Sequence, residues 1–338
     1  MKRGFKLLSV LVVLISICFF SCDASEIKIA FIVKDINESW FQQEIEYAQM
    51  AATDFGFQLL VYPDEDFDRS SIYTTEMVLR DIQRAKDEGV KGVVVCAPDV
   101  NRGNEIVALC NKLDLKLMTV DDRFKDYNSW SGYNENVSHL GIDSYAIGRL
   151  VGISLAREIS SRGWNLNQVG VIELYNKSTP DIMERVEGAV LMLQEVLAFN
   201  ESNFFVLDSP ESSLESYYSL ILRRFPGISS RFRRWIIVGM NDDCVIGGLR
   251  ALDRLGVSKD NVLAFGINGS SLAEEELLKN KLGLLGSVKL QASVHGYDSV
   301  EYMYKWLFSK REPEKMIVTN GILITKDDVS ANASQPEL

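Results

Sequence analysis

The stretch IKIAFIVKDINESWFQQEIEYAQMAATDFG, residues 27–56, decides the fold. Residues 27–33 are apolar or β-branched apart from Lys28, the composition of a short buried strand. Ser39 followed by Gln42 has the spacing of a capping box. Phe41, Ile45, Ala48, Ala52 and Phe55 then recur at helical intervals until Gly56 stops the helix. A buried strand running into an amphipathic helix is the opening of a βαβ unit.

The same cycle continues outward. Strands are expected over 58–62, 92–96 and 116–120, with helices over 74–88 and 104–112; a polar loop over 126–137 then breaks the rhythm. A second series begins with a helix over 145–162 and a strand over 168–174. Helices over 181–197, 213–224, 245–255, 272–279 and 294–308 then alternate with strands over 204–207, 235–238, 262–267, 284–288 and 317–325. Such alternation gives parallel sheets wrapped by helices, and two series predict an α/β protein of two doubly wound lobes.

The first 21 residues read as a leader. Lys2, Arg3 and Lys6 precede an apolar run over 7–20, followed by Ser21, Cys22, Asp23 and Ala24. The run is short for a bilayer span and has the tripartite plan of a secretory signal. Two cleavage readings stand: lipoprotein processing, with Cys22 acylated as the new N-terminus, or ordinary cleavage after Ala24. A diacylated cysteine would hold the chain to a membrane far better than one myristoyl chain.

The formal charge is −11, and −14 without Lys2, Arg3 and Lys6, which argues against nucleic acid or a polybasic membrane contact. Cys96, Cys110 and Cys244 form no CxxC pair, and His139 and His295 are the only histidines, so neither a disulfide framework nor a metal site is expected. No cofactor motif is present either.

Polar residues interrupt the apolar runs where strands end. Lys34 follows the first strand, Cys96 closes the third and Asp121–Asp122 follow the fourth; Asn241 and Asn268 hold the corresponding places in the second series. Asp and Asn are common in turns and helix caps for local reasons. Their convergence at strand ends in both series points instead to a cleft, because ligands of doubly wound sheets sit beyond the carboxyl ends of the strands. A sugar needs carboxylates and amides for its hydroxyls, a cation for its oxygens and a flat apolar face. Glu38, Asp121 and Asp122 supply acceptors, Lys34 and Arg185 donors, Asn241 and Asn268 both, and Trp40 and Phe41 the aromatic face, with core packing the competing role for Phe41.

The segments FIVKDINESWF, VVVCAPD, TVDDRF, IIVGMNDDCVIGGLRA, FGINGSS and VHGYDSVEYMYKW, with RGWNL and ILITKDD, resemble those of the type I periplasmic sugar-binding family, specifically its L-arabinose binders. The resemblance runs in order from about Ile27 to Asp328. It implies lobes joined by three crossings near Ile142, Leu290 and Gly321, with residues 27–141 and 291–320 in the first lobe and 142–290 and 321–330 in the second. Carried over by position, it adds Cys96, Ile142, Met240 and Asp181 to the ligand contacts, and sets Asp122 against the anomeric hydroxyl. It implies a monomer that captures a monosaccharide, L-arabinose or a related pentose or hexose such as galactose, and hands it to an ABC permease. A chemoreceptor stays open as a partner in addition to the permease. Departures fall at residues 171–188, where Arg185 and Gly188 alone match, at Asp181 in place of a threonine, at Ser271 in place of an aspartate, and at Lys289, Leu290 and Gln291.

Three rivals were weighed. An enzyme would need a flanking acid–base pair, but adjacent strand residues such as Asp121 and Asp122 point to opposite faces, and no GxSxG or phosphate loop follows a strand. A sugar-responsive repressor would carry a basic helix-turn-helix where the leader stands. A signalling lipoprotein that serves a receptor stays open as the alternative.

Overall fold

In a computed structural model of the chain, residues 27–64, 66–177, 180–211 and 213–333 are described; the leader and Cys22 lie outside them. The first series comprises β1 (Lys28–Ile32), α1 (Ser39–Phe55), β2 (Gln58–Tyr62), α2 (Thr75–Asp87), β3 (Gly92–Val95), α3 (Gly103–Lys112), β4 (Lys116–Val120) and β5 (Ser138–Ile142). The second comprises α4 (Ser144–Ser161), β6 (Val169–Tyr175), α5 (Pro180–Val196), β7 (Phe204–Asp208), α6 (Leu214–Arg224), β8 (Arg234–Gly239), α7 (Asp242–Arg254), β9 (Val262–Asn268), α8 (Ser271–Lys279) and β10 (Leu284–Lys289). Then come α9 (Ala292–Ser309), β11 (Met316–Thr319), β12 (Ile322–Thr325) and α10 (Lys326–Ala333).

The strands form two six-stranded sheets, ordered β11-β5-β4-β3-β1-β2 and β12-β10-β9-β8-β6-β7. Every pairing is parallel except β10 with β12. The orders match position by position, so β4 corresponds to β9 and β3 to β8. The chain passes between sheets three times: from β5 to α4, from β10 to α9, and from β11 to β12. Helix α9 returns to pack on α1 and on the back of the first sheet.

Both faces of the first sheet are buried. Ile29 and Phe31 of β1 enter one apolar cluster with Ala48, Val300 and Met303, while Ala30 and Ile32 enter another with Ile82 and Ile106. This alternation is the two-residue period of a strand covered by helices on either side. The second lobe closes over one cluster that joins Val171, Ile236, Leu263, Leu193 and Leu252.

Several local expectations need correction. Helix α1 is capped by Glu38, whose φ of −78° and ψ of 131° are extended and whose side chain makes no cap hydrogen bond. Ser39 is therefore already helical, and the Gln42 amide reaches back to the Ile36 and Asn37 carbonyls rather than closing a capping box. Gly56 does stop the helix, at φ 73°, with its N–H on the Ala52 carbonyl. Strand β5, SHLGI, went unread because it is short and broken by His139 and Gly141. The final expected strand is two, β11 and β12, which lie in different sheets because the chain crosses at Asn320–Gly321.

Candidate functional site

A cleft of about 910 Å³ opens between the two sheets, lined by residues of both. That volume lies within the range of small-molecule sites, roughly 300–1,000 Å³. From the first lobe come Lys34, Glu38, Trp40, Phe41, Asp121 and Asp122; Ile142 stands at a crossing; Arg185, Asn241 and Asn268 come from the second.

On the first lobe, Lys34 forms an ion pair with Asp122 Oδ2 and stands 5.6 Å from the centre of the Phe41 ring. Burial opposes the Lys34 charge, but the carboxylates of Asp122 and Asp121 outweigh it and raise its pKa above the ordinary lysine value. Glu38, exposed at the cleft edge, is shifted upward chiefly by partial desolvation, and Lys34 pulls against that shift. Phe41 is only 3% exposed and belongs to the core cluster, so core packing is its main role although it also lines the cleft. Trp40 turns its indole N–H to Asp121 Oδ2 at 3.1 Å.

Asp121 is the most constrained of these groups. It follows β4 with φ of 61°, a conformation uncommon for a residue with a side chain. Its Oδ1 lies 2.5 Å from His295 Nδ1, and since a carboxylate only accepts, the imidazole N–H donates. Burial pushes the Asp121 pKa up, yet His295, Glu44 and Trp40 together bring it below the usual carboxylate value. Its two oxygens are thus engaged by protein donors, and it holds Trp40 in place more than it serves a ligand. Asp122 keeps the more open position, with 38% of its side chain exposed.

Glu44 and His295 were not identified from sequence. Both are wholly buried behind Trp40 and Asp121. They meet because α9 packs tightly on α1: a Cβ on Gly296 would lie 2.0 Å from the Glu44 carbonyl oxygen, so only glycine permits the approach. Burial and the Asp121 charge drive the Glu44 pKa well up. Its two oxygens have no hydrogen-bond partner in normal geometry, a smaller penalty for a neutral acid than for an anion. Glu44, Asp121 and His295 bring ligand atoms within 4.8 Å of one another. The direct His295–Asp121 hydrogen bond would have to break before both could face an ion.

On the second lobe, Arg185 is placed by another glycine contact. A Cβ on Gly148 of α4 would lie 2.0 Å from the Arg185 carbonyl oxygen, which brings α5 close and aims the guanidinium beneath the cleft. Arg185 Nη1 donates to the Met240 carbonyl at 3.1 Å and to Asn268 Oδ1 at 3.4 Å, while among the described residues its buried Nε has no partner. Burial lowers its pKa to about 10. Asn241 caps α7, its Oδ1 accepting from Cys244 N–H at 3.0 Å, so cap and cleft roles coexist and the amide nitrogen is what it can offer a ligand. Asn268 stands at the end of β9 with φ of 122°.

Two expected contacts lie behind the cleft surface. Cys96 is wholly buried with its Sγ 3.6 Å from Asp122 Oδ2, and burial pushes its thiol pKa well up. Met240 is 1% exposed and supports Arg185 through its carbonyl. Both are pulled inward because apolar or weakly polar side chains at strand ends gain more from the core than from the cleft. Asp181 belongs to the first turn of α5. Cleft residues that sequence reading overlooked include Arg123, Tyr133, His139, Ser270 and Lys289. His139, 3% exposed with Nδ1 at 2.9 Å from Thr119 Oγ1, has its pKa lowered by burial to about 3 and stays neutral.

Two doubly wound lobes, three crossings and a polar cleft with charged groups of both signs define a two-lobe ligand-binding protein. Residues 26–329 match the family of periplasmic binding proteins and the sugar binding domain of the LacI family, and the chain belongs to it. It is 30% identical over 312 residues to the L-arabinose-binding periplasmic protein of Escherichia coli, covering 91% of this chain and 90% of that one. To an ABC transporter L-arabinose-binding periplasmic protein of Azospirillum brasilense it is 31% identical over 310 residues, covering 89% and 86%. A solved periplasmic ribose ABC transporter protein of Conexibacter woesei shares the fold, with a TM-score of 0.74 at 15% identity over 93% of this chain and 96% of that one.

Proposed function

We propose that the chain captures a monosaccharide outside the cytoplasm, L-arabinose or a related pentose or hexose such as galactose, and delivers it to an ABC permease. One observation carries the reading: the Lys34–Asp122 pair and the Arg185–Asn268 pair face a single cleft from opposite lobes. Such a set can donate to ring and hydroxyl oxygens from two sides and accept from hydroxyl hydrogens at Asp122, Glu38 and the asparagines. Hydrogen bonds involving charged groups contribute about 1.5–3 kcal/mol each, and a missing hydroxyl leaves a buried partner unsatisfied. Asp122, with its open carboxylate, is the group for the anomeric hydroxyl. Trp40, fixed edge-on by Asp121, offers its face to sugar C–H bonds.

We further infer that Cys22 carries a lipid that keeps the protein on the outer side of a membrane beside its permease. Among the described residues no helix is long and apolar enough to cross a membrane. Titration calorimetry of L-arabinose, D-galactose, D-ribose and myo-inositol tests the reading. Micromolar or tighter binding of L-arabinose or another aldose supports it; no heat from any of them, with the folded state intact, contradicts it.

A further inference from the structure

Three segments join the lobes, and one hydrogen-bonded chain from His295 through the Thr319 hydroxyl connects all three. His295 lies in the first turn of α9, immediately after the crossing from β10. Its Nε2 is 2.6 Å from the hydroxyl of Thr319, the last residue of β11 before the crossing to β12. The same hydroxyl donates at 3.2 Å to the carbonyl of Gly141, one residue from the end of β5 and the crossing to α4. On its other side His295 holds Asp121, which in turn holds the Trp40 indole and gives its own N–H to the Leu140 carbonyl at 3.0 Å. His295 also packs edge-on against Trp40, with ring centres 5.4 Å apart. His295, Leu140 and Gly141 are buried and Asp121, Trp40 and Thr319 partly so, and a connected chain of partly buried hydrogen bonds leaves little freedom to move one end without the other.

We propose that His295 is a positioning residue that couples the cleft to the hinge: it ties Trp40 and Asp121 to all three crossings, so that the indole's placement and the crossings' conformation are set together. The proposal rests on the sugar-binding reading for its use in transport, but the coupling is a property of the chain without ligand. Coupling of this kind is reciprocal. A change made at the crossings must be felt at Trp40, and a change made at Asp121 must be felt at the crossings.

The test uses the processed chain without ligand and two readouts: the indole N–H resonance of Trp40, assigned with Trp40→Phe, and amide hydrogen exchange over residues 139–143 and 317–321. Thr319→Val keeps the shape and removes the hydroxyl. It should move the Trp40 resonance and speed exchange at both segments several-fold, and Asp121→Asn should speed exchange at the same segments. Ile106→Val, buried in the opposite core cluster, lowers overall stability and serves as the control; it should move neither readout. A Trp40 resonance unmoved by Thr319→Val, or crossing amides unmoved by Asp121→Asn, overturns the proposal. So does an Ile106→Val variant that reproduces both effects. Saturating L-arabinose is added last and should slow exchange at the crossings of the parent but not of Thr319→Val. If no aldose affects the parent's cleft, the sugar reading fails while the ligand-free results still decide the coupling.

Discussion

Asp121 and Asn268 stand at matching places in the two sheets, at the ends of β4 and β9, and both hold positive φ angles, 61° and 122°. Each is also tied to the next strand: Asp121 N–H donates to the Leu140 carbonyl, and the Asn268 carbonyl accepts from Leu290 N–H at 3.3 Å. Two residues in uncommon backbone conformations at symmetry-related points facing one cleft are what a strained binding site looks like, since such conformations persist only where surrounding structure imposes them.

Asn268 separates backbone strain from side-chain chemistry. Asn268→Gly removes the amide oxygen that accepts from Arg185 and relieves the positive φ; Asn268→Ala removes the same oxygen but keeps a Cβ at that φ. Both should weaken sugar binding about tenfold or more. Asn268→Ala should in addition lower unfolding stability by about 1–2 kcal/mol relative to Asn268→Gly. Urea unfolding of the two variants checks the difference.

Arg185 should be a residue whose loss harms binding more than folding. Its guanidinium is buried with no partner on Nε among the described residues, and burial lowers its pKa to about 10. Replacing buried ionic groups by well-packed apolar side chains of similar volume is often neutral or stabilising, and no carboxylate among the described residues is left unpaired when Arg185 goes. Arg185→Met should therefore unfold at the parent's temperature or above, while its affinity falls by about 2–5 kcal/mol, tens- to thousands-fold. Near-normal sugar titration would place the second-lobe contact elsewhere.

Glu44 should make stability depend on pH. Its folded pKa is raised by burial and by Asp121, so the folded chain retains a proton that the unfolded chain releases. The sign follows: this contribution is complete below the unfolded carboxyl pKa and is lost as pH rises toward the folded value, with a slope of up to about 1.4 kcal/mol per pH unit. Glu44→Gln, a neutral acid's nearest isostere, should match the parent below the ordinary carboxyl range, about pH 4, and become progressively more stable than it as pH rises above that range. Asp121, shifted the other way, contributes stability that appears as pH rises, so the difference between the two chains is the quantity to measure. Parallel thermal-unfolding curves with a constant offset would show that Glu44 is ionised in the fold.

The anchor is tested at Cys22. In a lipoprotein-competent host the parent should partition into detergent and take up labelled fatty acid, and Cys22→Ser should do neither. A soluble parent beginning at Ser25 would establish ordinary cleavage instead.

The strand–helix alternation made the fold legible, because buried parallel strands and amphipathic helices carry different periods. The strand-end residues Lys34, Asp122, Asn241 and Asn268 were legible for a related reason: a polar residue that ends an apolar run has to face something. Glu44 and His295 were not. They sit inside helices with no local anomaly beyond a charge on a buried face, and His295 meets Asp121 across 174 residues of sequence. Cys96 and Met240 sit at strand ends like the cleft-lining residues but turn into the core, a distinction that depends on packing behind the sheet. The two-strand ending carried a signal in Asn320–Gly321, a turn dipeptide between the apolar stretches 317–319 and 322–325; that the two halves belong to different sheets depends on the crossing there.

One sugar is expected to bind both lobes and hold them together. A ligand shifts an equilibrium between open and closed forms only by its differential affinity for the two, and contacts to Asp122 on one lobe and Arg185 on the other supply that difference. Small-angle X-ray scattering of the chain with and without its best-bound aldose measures this directly. The account predicts a smaller radius of gyration with sugar, a change that Arg185→Met abolishes at matched occupancy. Tight binding with an unchanged radius of gyration would contradict it.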